Sequence, residues 1–197
     1  MTIPIRELSR AERPSLHEHF LTLGSHDRRL RFGTPLSDHS VREYIERIDF
    51  GHDAVFGVID DELRLLGVAH VARADGHAEL GVSVLEGHRS HGIGGALLAR
   101  AHLHARNWGV RALFMHCLTE NAAMMRLVRR QDMAIVAEAG EADAWLKLPK
   151  ADAASHFGAL FAQRVALFDY ALKSQLAAAR RLAVALTPGT ASPGRER

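Results

Sequence analysis

A glycine-rich loop ahead of a helix constrains this chain more than any other feature. The segment EGHRSHGIGGALLAR, residues 86–100, places Gly92, Gly94 and Gly95 directly before a run of good helix formers. The N-terminus of a helix leaves about four backbone N–H groups without partners, and the helix dipole favours an anion there. Glycines remove the Cβ atoms that would keep a phosphate group away from those N–H groups. The loop therefore predicts an anion-binding turn at the start of a helix.

Apolar periodicity around this loop predicts a domain of the α/β (α+β) class. Three runs with strand character, separated by hairpin signals, predict an antiparallel meander over residues 53–85. A strand in IPIREL and two short helices, over residues 11–24 and 37–49, are expected before it. A helix, a strand, a second helix and two last strands are expected after it. The predicted order, β-α-α-β-β-β-α-β-α-β-β, gives a mixed, largely antiparallel twisted sheet flanked by helices.

The chain beyond residue 150 differs from the part before it. Residues 151–186 follow one long helical pattern, and residues 187–197 are rich in Pro, Gly and Ser and are expected to be disordered. The sequence thus predicts a domain over residues 1–150, a C-terminal amphipathic helix and a tail. At about 1.5 Å per residue the helix reaches about 50 Å, longer than the domain needs. Its apolar stripe consists of Phe157, Phe161, Val165, Phe168, Leu172 and Leu176. Because such a stripe must be covered, we expect a homodimer formed through this helix.

Charge and cysteine content argue against several classes of function. The formal net charge is +2, which gives no reason to expect nucleic acid as a partner. No apolar run reaches membrane-spanning length, so no membrane partner is expected. Cys117 is the single cysteine, which favours a reducing, cytoplasmic location. The 13 histidines are scattered, and His102 and His104 fall on different faces of a helix, so no metal site is expected.

Three kinds of phosphate-binding loop compete for the glycine segment. A dinucleotide-binding fingerprint needs G-x-G-x-x-G, but Leu97 stands at the third glycine position and no acidic residue closes the following strand. A Walker-type loop needs G-K-[ST], which the sequence lacks. The third pattern, R-x-x-G-x-G, is present as Arg89, Gly92 and Gly94 between an antiparallel strand and a helix. The sequence favours this third interpretation.

This pattern resembles the GNAT superfamily of N-acetyltransferases over about residues 3–148. The specific part is AELGVSVLEGHRSHGIGGALL followed by TENAAMMRLVRR. The resemblance implies that acetyl-CoA is the co-substrate, that the loop backbone holds its pyrophosphate, and that the strand GVSVL pairs with the pantetheine arm. It implies coenzyme contacts from Val82, Val84, Leu85, Arg89, Ser90, His91, Gly92, Ile93, Gly94, Gly95 and Asn121. Asn121 can equally act as an ordinary helix N-cap, and the glycines can simply allow a helix to pack closely on a strand.

The chain departs from the family pattern in the helix that follows Asn121. Family members often carry a tyrosine seven residues after this asparagine, which protonates the departing thiolate, and this chain has Val128 there. The Gly-Phe pair that usually closes the helix is Asp132-Met133 here. A thiol has a pKa of about 8.5, so the leaving group needs less help than an alkoxide would. Other polar residues near the expected site, among which the sequence does not select, are Ser83, His116 and Cys117.

Glu79 is the candidate catalytic base. It lies in HAELGVSV, where some members of the family place their catalytic carboxylate, on the opposite strand face from Leu80 and Val82. A lysine-like amine has a pKa of about 10.4, so freeing its lone pair at pH 7 costs about 4.6 kcal/mol. A carboxylate can receive that proton directly or through water. Glu79 can equally be a solvent-facing charge on a half-exposed strand.

We therefore expect an acyl-CoA-dependent N-acyltransferase that moves acetyl from acetyl-CoA to a primary amine by direct attack in a ternary complex. By resemblance, backbone N–H groups near Val84 would stabilise the oxyanion. The segments NAAMMRLVRR and HDRRLRFGTPLSD are also similar to the acetyltransferase domains of bacterial protein-lysine acetyltransferases. This similarity favours an amine acceptor and leaves a small molecule and a protein lysine both open. The alternatives are a non-catalytic acyl-CoA-binding sensor and a scaffold in which the long C-terminal helix is the working part.

Overall fold

A seven-stranded sheet organises the chain. The computed structural model describes residues 3–186, so the tail predicted for residues 187–197 lies outside the described residues. The strands are β1 (Arg6–Leu8), β2 (Ala54–Ile59), β3 (Leu65–Arg73), β4 (His77–Val84), β5 (Ala112–Leu118), β6 (Ala134–Glu138) and β7 (Glu141–Lys147). They lie in the order β1-β2-β3-β4-β5-β7-β6, and every pair is antiparallel except β4 with β5. The predicted mixed, largely antiparallel sheet is confirmed.

Three helices, rather than the predicted two, connect β1 to β2. The α-helices of the described residues are α1 (Arg13–Thr22), α2 (Ser25–Phe32), α3 (Asp38–Arg47), α4 (Ile93–Asn107), α5 (Ala122–Arg130) and α6 (Ala153–Leu186). The added helix is α2, which Gly24 separates from α1 by its extended backbone and which Gly33 ends at a φ of 77°. α2 has only two apolar residues, Leu30 and Phe32, so no apolar stripe marks it in the sequence.

The sheet separates two apolar cores. On one side α4 and α5 pack against strand residues that include Phe56, Leu80 and Val82. On the other side α1 and α3 pack against strand residues that include Val55. Because successive strand side chains point to opposite faces, the intervening residues of β4 face the side of α1 and α3. This agrees with the alternation expected for the strand that carries Glu79.

The sheet opens between its two parallel strands. β4 pairs with β5 at only three positions, the last of which joins Glu79 to Phe114. On its other edge β4 stays paired with β3 as far as Val84. Within the described residues, the β5-facing edge of β4 therefore has no strand partner beyond Glu79. An unpaired strand edge inside a sheet offers main-chain N–H and C=O groups to a ligand.

One face of α6 packs on the domain through α4 and β1. The Ser155 hydroxyl donates to Asn107 Oδ1 at 2.6 Å, near the start of the helix. Further along, Lys173 Nζ donates to the Ile59 carbonyl at 3.0 Å. The predicted apolar stripe lies on the uncovered side, with exposed fractions from 37% for Val165 to 74% for Phe168. No helix within residues 3–186 is long and apolar enough to cross a membrane.

Candidate functional site

Two adjoining cavities follow the free edge of β4. The larger, the loop cavity, has a volume of about 460 Å³ and lies between the glycine loop, β4, α2 and α5. The smaller, the strand cavity, has a volume of about 310 Å³ and lies between β4, β5, α2 and α3. Their shared lining residues are Leu30, Arg31, Val82 and Met124. The opened sheet thus connects a site at the N-terminus of α4 with a site beside Glu79.

The glycine loop presents backbone N–H groups to the loop cavity. Ser90 and Gly92 have left-handed backbones, with φ values of 64° and 83°. The Ala96 N–H donates to the Gly92 carbonyl at 3.0 Å, so the three N–H groups before Ala96 in α4 precede the helical hydrogen-bond ladder. Gly92 offers no side chain to cap them. Together with the helix dipole, these N–H groups suit a phosphate group.

Gly94 leaves open the space in front of these N–H groups. A Cβ at Gly94 would lie 3.8 Å from Leu127 Cδ2 and 3.9 Å from Val84 Cγ2. Both of these residues line the loop cavity, so a side chain at Gly94 would project into that cavity. The backbone of Gly94 is not left-handed. A glycine at this position is therefore explained by the space it leaves in the cavity and not by the backbone conformation of the turn.

Nine of the eleven predicted coenzyme contacts line the loop cavity, namely Val82, Val84, Arg89, Ser90, Gly92, Ile93, Gly94, Gly95 and Asn121. The other two, Leu85 and His91, are not among its lining residues. The Leu85 N–H donates to the Leu66 carbonyl at 2.9 Å, so it is committed to the sheet. Coenzyme contacts from all eleven residues stay predictions.

The side chain of Arg89 holds the loop in place. Its Nη2 lies 2.7 Å from Asp27 Oδ2 on α2, and its Nε donates to the Val84 carbonyl at 3.1 Å. Two further arginines that the sequence analysis missed, Arg126 and Arg130, also line the loop cavity. They are four residues apart on α5, and that spacing places them on one helix face. Their charges suit a ligand that carries several phosphates.

Asn121 is the N-cap of α5, one of the two roles that the sequence allowed for it. Asn121 Oδ1 accepts from the Met124 N–H at 3.1 Å, so the side chain caps the helix. Val128 is fully buried in the core. Met124 and Leu127 are the large apolar residues that α5 contributes to the loop cavity. This wall therefore has no side chain able to protonate a thiolate at the position expected for the tyrosine.

The strand cavity is lined by Glu79 and by Arg31, Tyr44 and His70, which belong to a series of four hydrogen-bonded side chains that ends at Asp53. Arg31 Nη2 donates to Tyr44 Oη at 2.9 Å, Tyr44 Oη donates to His70 Nδ1 at 2.7 Å, and His70 Nε2 donates to Asp53 Oδ2 at 3.1 Å. Burial, followed by the nearby Arg31 charge, lowers the pKa of His70, so its ring is neutral at pH 7 and Nδ1 accepts. Each of these hydrogen bonds therefore has a defined donor and acceptor, and together they fix the position of the Arg31 guanidinium.

A second buried pair, Ser83 and His19, adjoins the loop cavity. His19 Nδ1–H donates to the Leu65 carbonyl at 2.9 Å, which leaves Nε2 to accept from the Ser83 hydroxyl at 2.8 Å. Burial lowers the pKa of His19 to about 4, with a further lowering from Arg31. At neutral pH this histidine is uncharged and a weak base. Ser83 lines the loop cavity, so the pair joins α1 to the free part of β4.

Cys117 and His116 line the strand cavity from β5. Burial raises the pKa of the Cys117 thiol to about 11, and the Asp143 carboxylate adds to the rise. Cys117 is therefore protonated at neutral pH and is a poor nucleophile. His116 Nδ1 hydrogen-bonds Asp143 Oδ1 at 2.9 Å. The described residues contain no group of three or more His, Cys, Asp or Glu side chains arranged to hold a metal ion.

The sequence matches one protein family. The family described as "Acetyltransferase (GNAT) family" matches residues 22–133, more than half of the 197-residue chain. The matched range contains the glycine loop, Glu79 and all the residues that line the two cavities. No curated protein sequence matches the chain significantly.

Solved structures share the fold at low sequence identity. The GNAT domain of S. lividans PAT is 19% identical, with a TM-score of 0.63, covering 73% of this chain and 89% of that one. The yncA protein of Salmonella typhimurium, solved with its cofactor acetyl-CoA, is 18% identical, with a TM-score of 0.58, covering 76% and 95%. The ribosomal-protein-S18-alanine N-acetyltransferase of Escherichia coli is 17% identical, with a TM-score of 0.55, covering 76% and 94%. At these identities the likeness shows the fold alone.

Proposed function

Because this chain belongs to the GNAT family of acetyltransferases, we propose that it transfers acetyl from acetyl-CoA to a primary amine, on a small molecule or a protein lysine. The observation that carries the proposal is the pair of adjoining cavities along the free edge of β4. One cavity offers the N-terminus of α4 to a pyrophosphate, and the other offers Glu79 to an amine. A cytoplasmic location is proposed with it, since the single cysteine forms no internal disulfide.

Acetyl-CoA as the donor is supported by the loop cavity. The N–H groups of Ile93, Gly94 and Gly95 suit the pyrophosphate, and Arg126 and Arg130 add positive charge. The free edge of β4 between Leu80 and Val84 suits a pantetheine arm, whose amide groups can pair with a main chain. The structural neighbour from Salmonella typhimurium was solved with acetyl-CoA.

In the proposed reaction the amine nitrogen attacks the thioester carbonyl carbon directly. Glu79 takes the proton that frees the amine lone pair, directly or through water. The C–N bond then forms, the C–S bond breaks, CoA leaves through its sulfur, and the second amine proton goes to the thiolate or to solvent. An acyl-cysteine intermediate is disfavoured, because the buried Cys117 thiol stays protonated. The arrangement therefore supports a ternary complex of amine, acetyl-CoA and protein.

A non-catalytic acyl-CoA-binding module is the second candidate. The apolar wall that Met124 and Leu127 form on α5 favours it, because buried Val128 stands where the family often has a tyrosine. The enzyme remains our first choice because a thiol has a pKa of about 8.5 and can leave as the thiolate. General-acid help is worth about 10²-fold or somewhat more, so its loss slows an enzyme without abolishing turnover.

Release of CoA from acetyl-CoA tests the enzyme against the sensor. The released thiol is measured with a panel of small amines and lysine-containing peptides, and the rate without acceptor is subtracted. We expect amine-dependent CoA release and an acetylated product seen by mass spectrometry. A protein that binds CoA by calorimetry yet shows no amine-dependent release would be a sensor.

We also propose that α6 forms a homodimer through its exposed stripe. Phe157, Phe161 and Phe168 are each more than 60% exposed, and they continue into Leu172 and Leu176 on the same side. The opposite face already packs on the domain, where Ala166 and Ala177 are buried. A second copy would cover the stripe in the same way on both chains.

Replacement of two stripe phenylalanines tests the dimer. Light scattering at micromolar concentration should give a dimer mass for the parent protein and a monomer mass for Phe161→Glu/Phe168→Glu. The physical reason is that two buried charges per chain would be left without partners in the interface. Affinity for CoA should be unchanged, because neither phenylalanine lines the loop cavity. A monomer mass for the parent protein would contradict the proposal.

A further inference from the structure

Arg31 is a half-buried cation without a carboxylate partner in the described structure. Its hydrogen bond to Tyr44 uses one of the five N–H donors of a guanidinium. Its Nε is buried and has no hydrogen-bond partner within the described residues. By contrast, Arg28 and Arg29 of the same helix pair with Asp38 and Glu120. A guanidinium in this state can still donate hydrogen bonds to an anion and bind its charge.

Surrounding groups fix the Arg31 guanidinium at the junction of the two cavities. Its Cζ lies 4.8 Å from the Phe32 ring centroid and 5.6 Å from that of Tyr44. The chain from Tyr44 through His70 to Asp53 holds the hydroxyl that it binds. A Cβ on Gly81 would overlap the guanidinium, so the bare backbone of β4 is what admits it there. The cation is thus preorganised beside the point where β4 and β5 part.

Glu79 supplies the opposite charge in the same cavity. It lines the strand cavity together with Arg31, and no Lys or Arg nitrogen of the described residues lies within 4.0 Å of its carboxylate. Two histidines line this cavity: His70 is neutral at pH 7 because burial lowers its pKa, and His116 is hydrogen-bonded to Asp143. The cavity therefore presents one cation and one carboxylate that do not pair with each other.

A ligand that matches this arrangement carries an amine and an anionic group a few bonds apart. On the basis of the proposed function, we propose that the acceptor is a free amino acid, whose amine faces Glu79 and whose carboxylate is bound by Arg31. A guanidinium binds a planar carboxylate through two parallel N–H groups, which gives orientation as well as affinity. The volume of about 310 Å³ is at the small end of ligand sites and suits a molecule of this size.

This acceptor class makes the reaction an N-acetylation of an amino acid. The amine nitrogen forms the new amide bond to the acetyl carbon, the C–S bond breaks, and CoA leaves with its sulfur as thiol or thiolate. The proton that frees the amine lone pair passes to Glu79, the second passes to the CoA sulfur or to solvent, and the carboxylate stays bound to Arg31 throughout. Arg31 is thus a specificity-determining residue, and a lysine side chain within a protein, which has no carboxylate beside its amine, is excluded.

Matched acceptor pairs test the inference. L-phenylalanine is compared with phenethylamine, L-methionine with 3-(methylthio)propylamine and L-leucine with isoamylamine, and Nα-acetyl-L-lysine amide stands for a protein lysine. Two readouts are taken: kcat/KM for CoA release, and the Kd for each acceptor on protein saturated with CoA. We expect at least one amino acid to exceed its decarboxylated partner by roughly 10- to 100-fold in both readouts, the usual worth of hydrogen bonds between charged groups.

Variants identify Arg31 as the source of that preference. Arg31→Met should reduce the ratio within each pair to about one, and Arg31→Lys should keep part of it. Gly81→Ala should also lower the ratio, because the new Cβ displaces the guanidinium without removing its charge. The controls are Arg29→Met on the same helix and Gly87→Ala, where a Cβ meets no atom within 4 Å. The ratio within each pair is compared between variant and parent, because the difference in pKa between an amino acid and its amine contributes equally to both ratios.

Each outcome separates this inference from the proposed function. If the amines release CoA but no amino acid is preferred over its amine, or if Nα-acetyl-L-lysine amide is the best acceptor, the inference is wrong and the acetyltransferase stands. If Arg31→Met slows both members of a pair equally, the guanidinium acts on the thioester and the inference is wrong. If amino acids bind in an Arg31-dependent way without CoA release, Arg31 still forms an amino-acid site, but the acceptor role is wrong together with the proposed function.

Discussion

Gly94→Val is expected to weaken CoA binding by about 10²-fold or more while the protein stays folded. The valine Cβ would lie between Val84 and Leu127, and its two methyl groups would occupy the cavity in front of the α4 N-terminus. A pyrophosphate kept away from those N–H groups loses charge-assisted hydrogen bonds worth about 1.5–3 kcal/mol each. The loss of two such bonds already gives the expected factor. Calorimetry with CoA measures the affinity, and thermal unfolding checks the fold.

Gly87→Val is the matched control for this prediction. Gly87 precedes the same loop, and a Cβ there meets no atom within 4 Å. Both variants add the same side chain, so a general effect of valine on the loop would appear in both. Unchanged CoA affinity in a folded Gly94→Val protein would show that the pyrophosphate is not bound at this helix N-terminus.

The glycine loop could be predicted from the sequence because its signal is local. Gly92 must be left-handed and Gly94 must lack a side chain, and both demands fall within a few residues of a helix start. The alternation along β4 was likewise enough to place Glu79 and Leu80 on opposite faces of the sheet. Patterns of period two and of turn chemistry survive folding because neighbouring residues decide them.

Arg31 could not be predicted in the same way. Its surroundings come from α2, α3, β3 and β4, and its hydrogen-bonded chain ends at Asp53, 22 positions away in the sequence. The helix that carries it has no apolar stripe, so even its existence escaped the periodicity of the sequence. Similarity of HDRRLRFGTPLSD to protein-lysine acetyltransferases was the available signal, and it pointed to a family rather than to a role. Tertiary placement of isolated polar residues is what single-sequence patterns do not contain.

The absence of a tyrosine at position 128 does not by itself argue against acetyltransferase activity. Val128 is fully buried, so a tyrosine at that position would not fit without rearranging the core. The polar groups of the site lie instead on the side of the sheet that faces α1 to α3, where Arg31, Tyr44 and Glu79 line the strand cavity. Chemistry at this site therefore depends on the base and on charge, and the base gives the sharpest test.

Glu79→Gln is expected to lower the rate at pH 7 by about 10²-fold or more, the usual worth of a positioned base. Glutamine keeps the shape of the side chain and removes the proton acceptor. CoA affinity should be unchanged, because Glu79 does not line the loop cavity. The defect should shrink as the pH approaches about 10, because an amine with a pKa near 10.4 then loses its proton to solvent. The measurement is a pH–rate profile of both proteins with a small amine of known pKa, corrected for thioester hydrolysis without enzyme.

Rescue at high pH is what distinguishes a base from a structural residue. A folding defect lowers the rate at every pH, whereas loss of a base matters only while the amine is protonated. Glu138→Gln is the matched control, because Glu138 is an exposed carboxylate on the edge strand β6, away from both cavities. If Glu79→Gln runs at the parent rate at pH 7, or stays equally impaired at every pH, Glu79 is a strand residue only. The amine proton would then leave through water, and the negative charge of the strand cavity would serve acceptor binding alone.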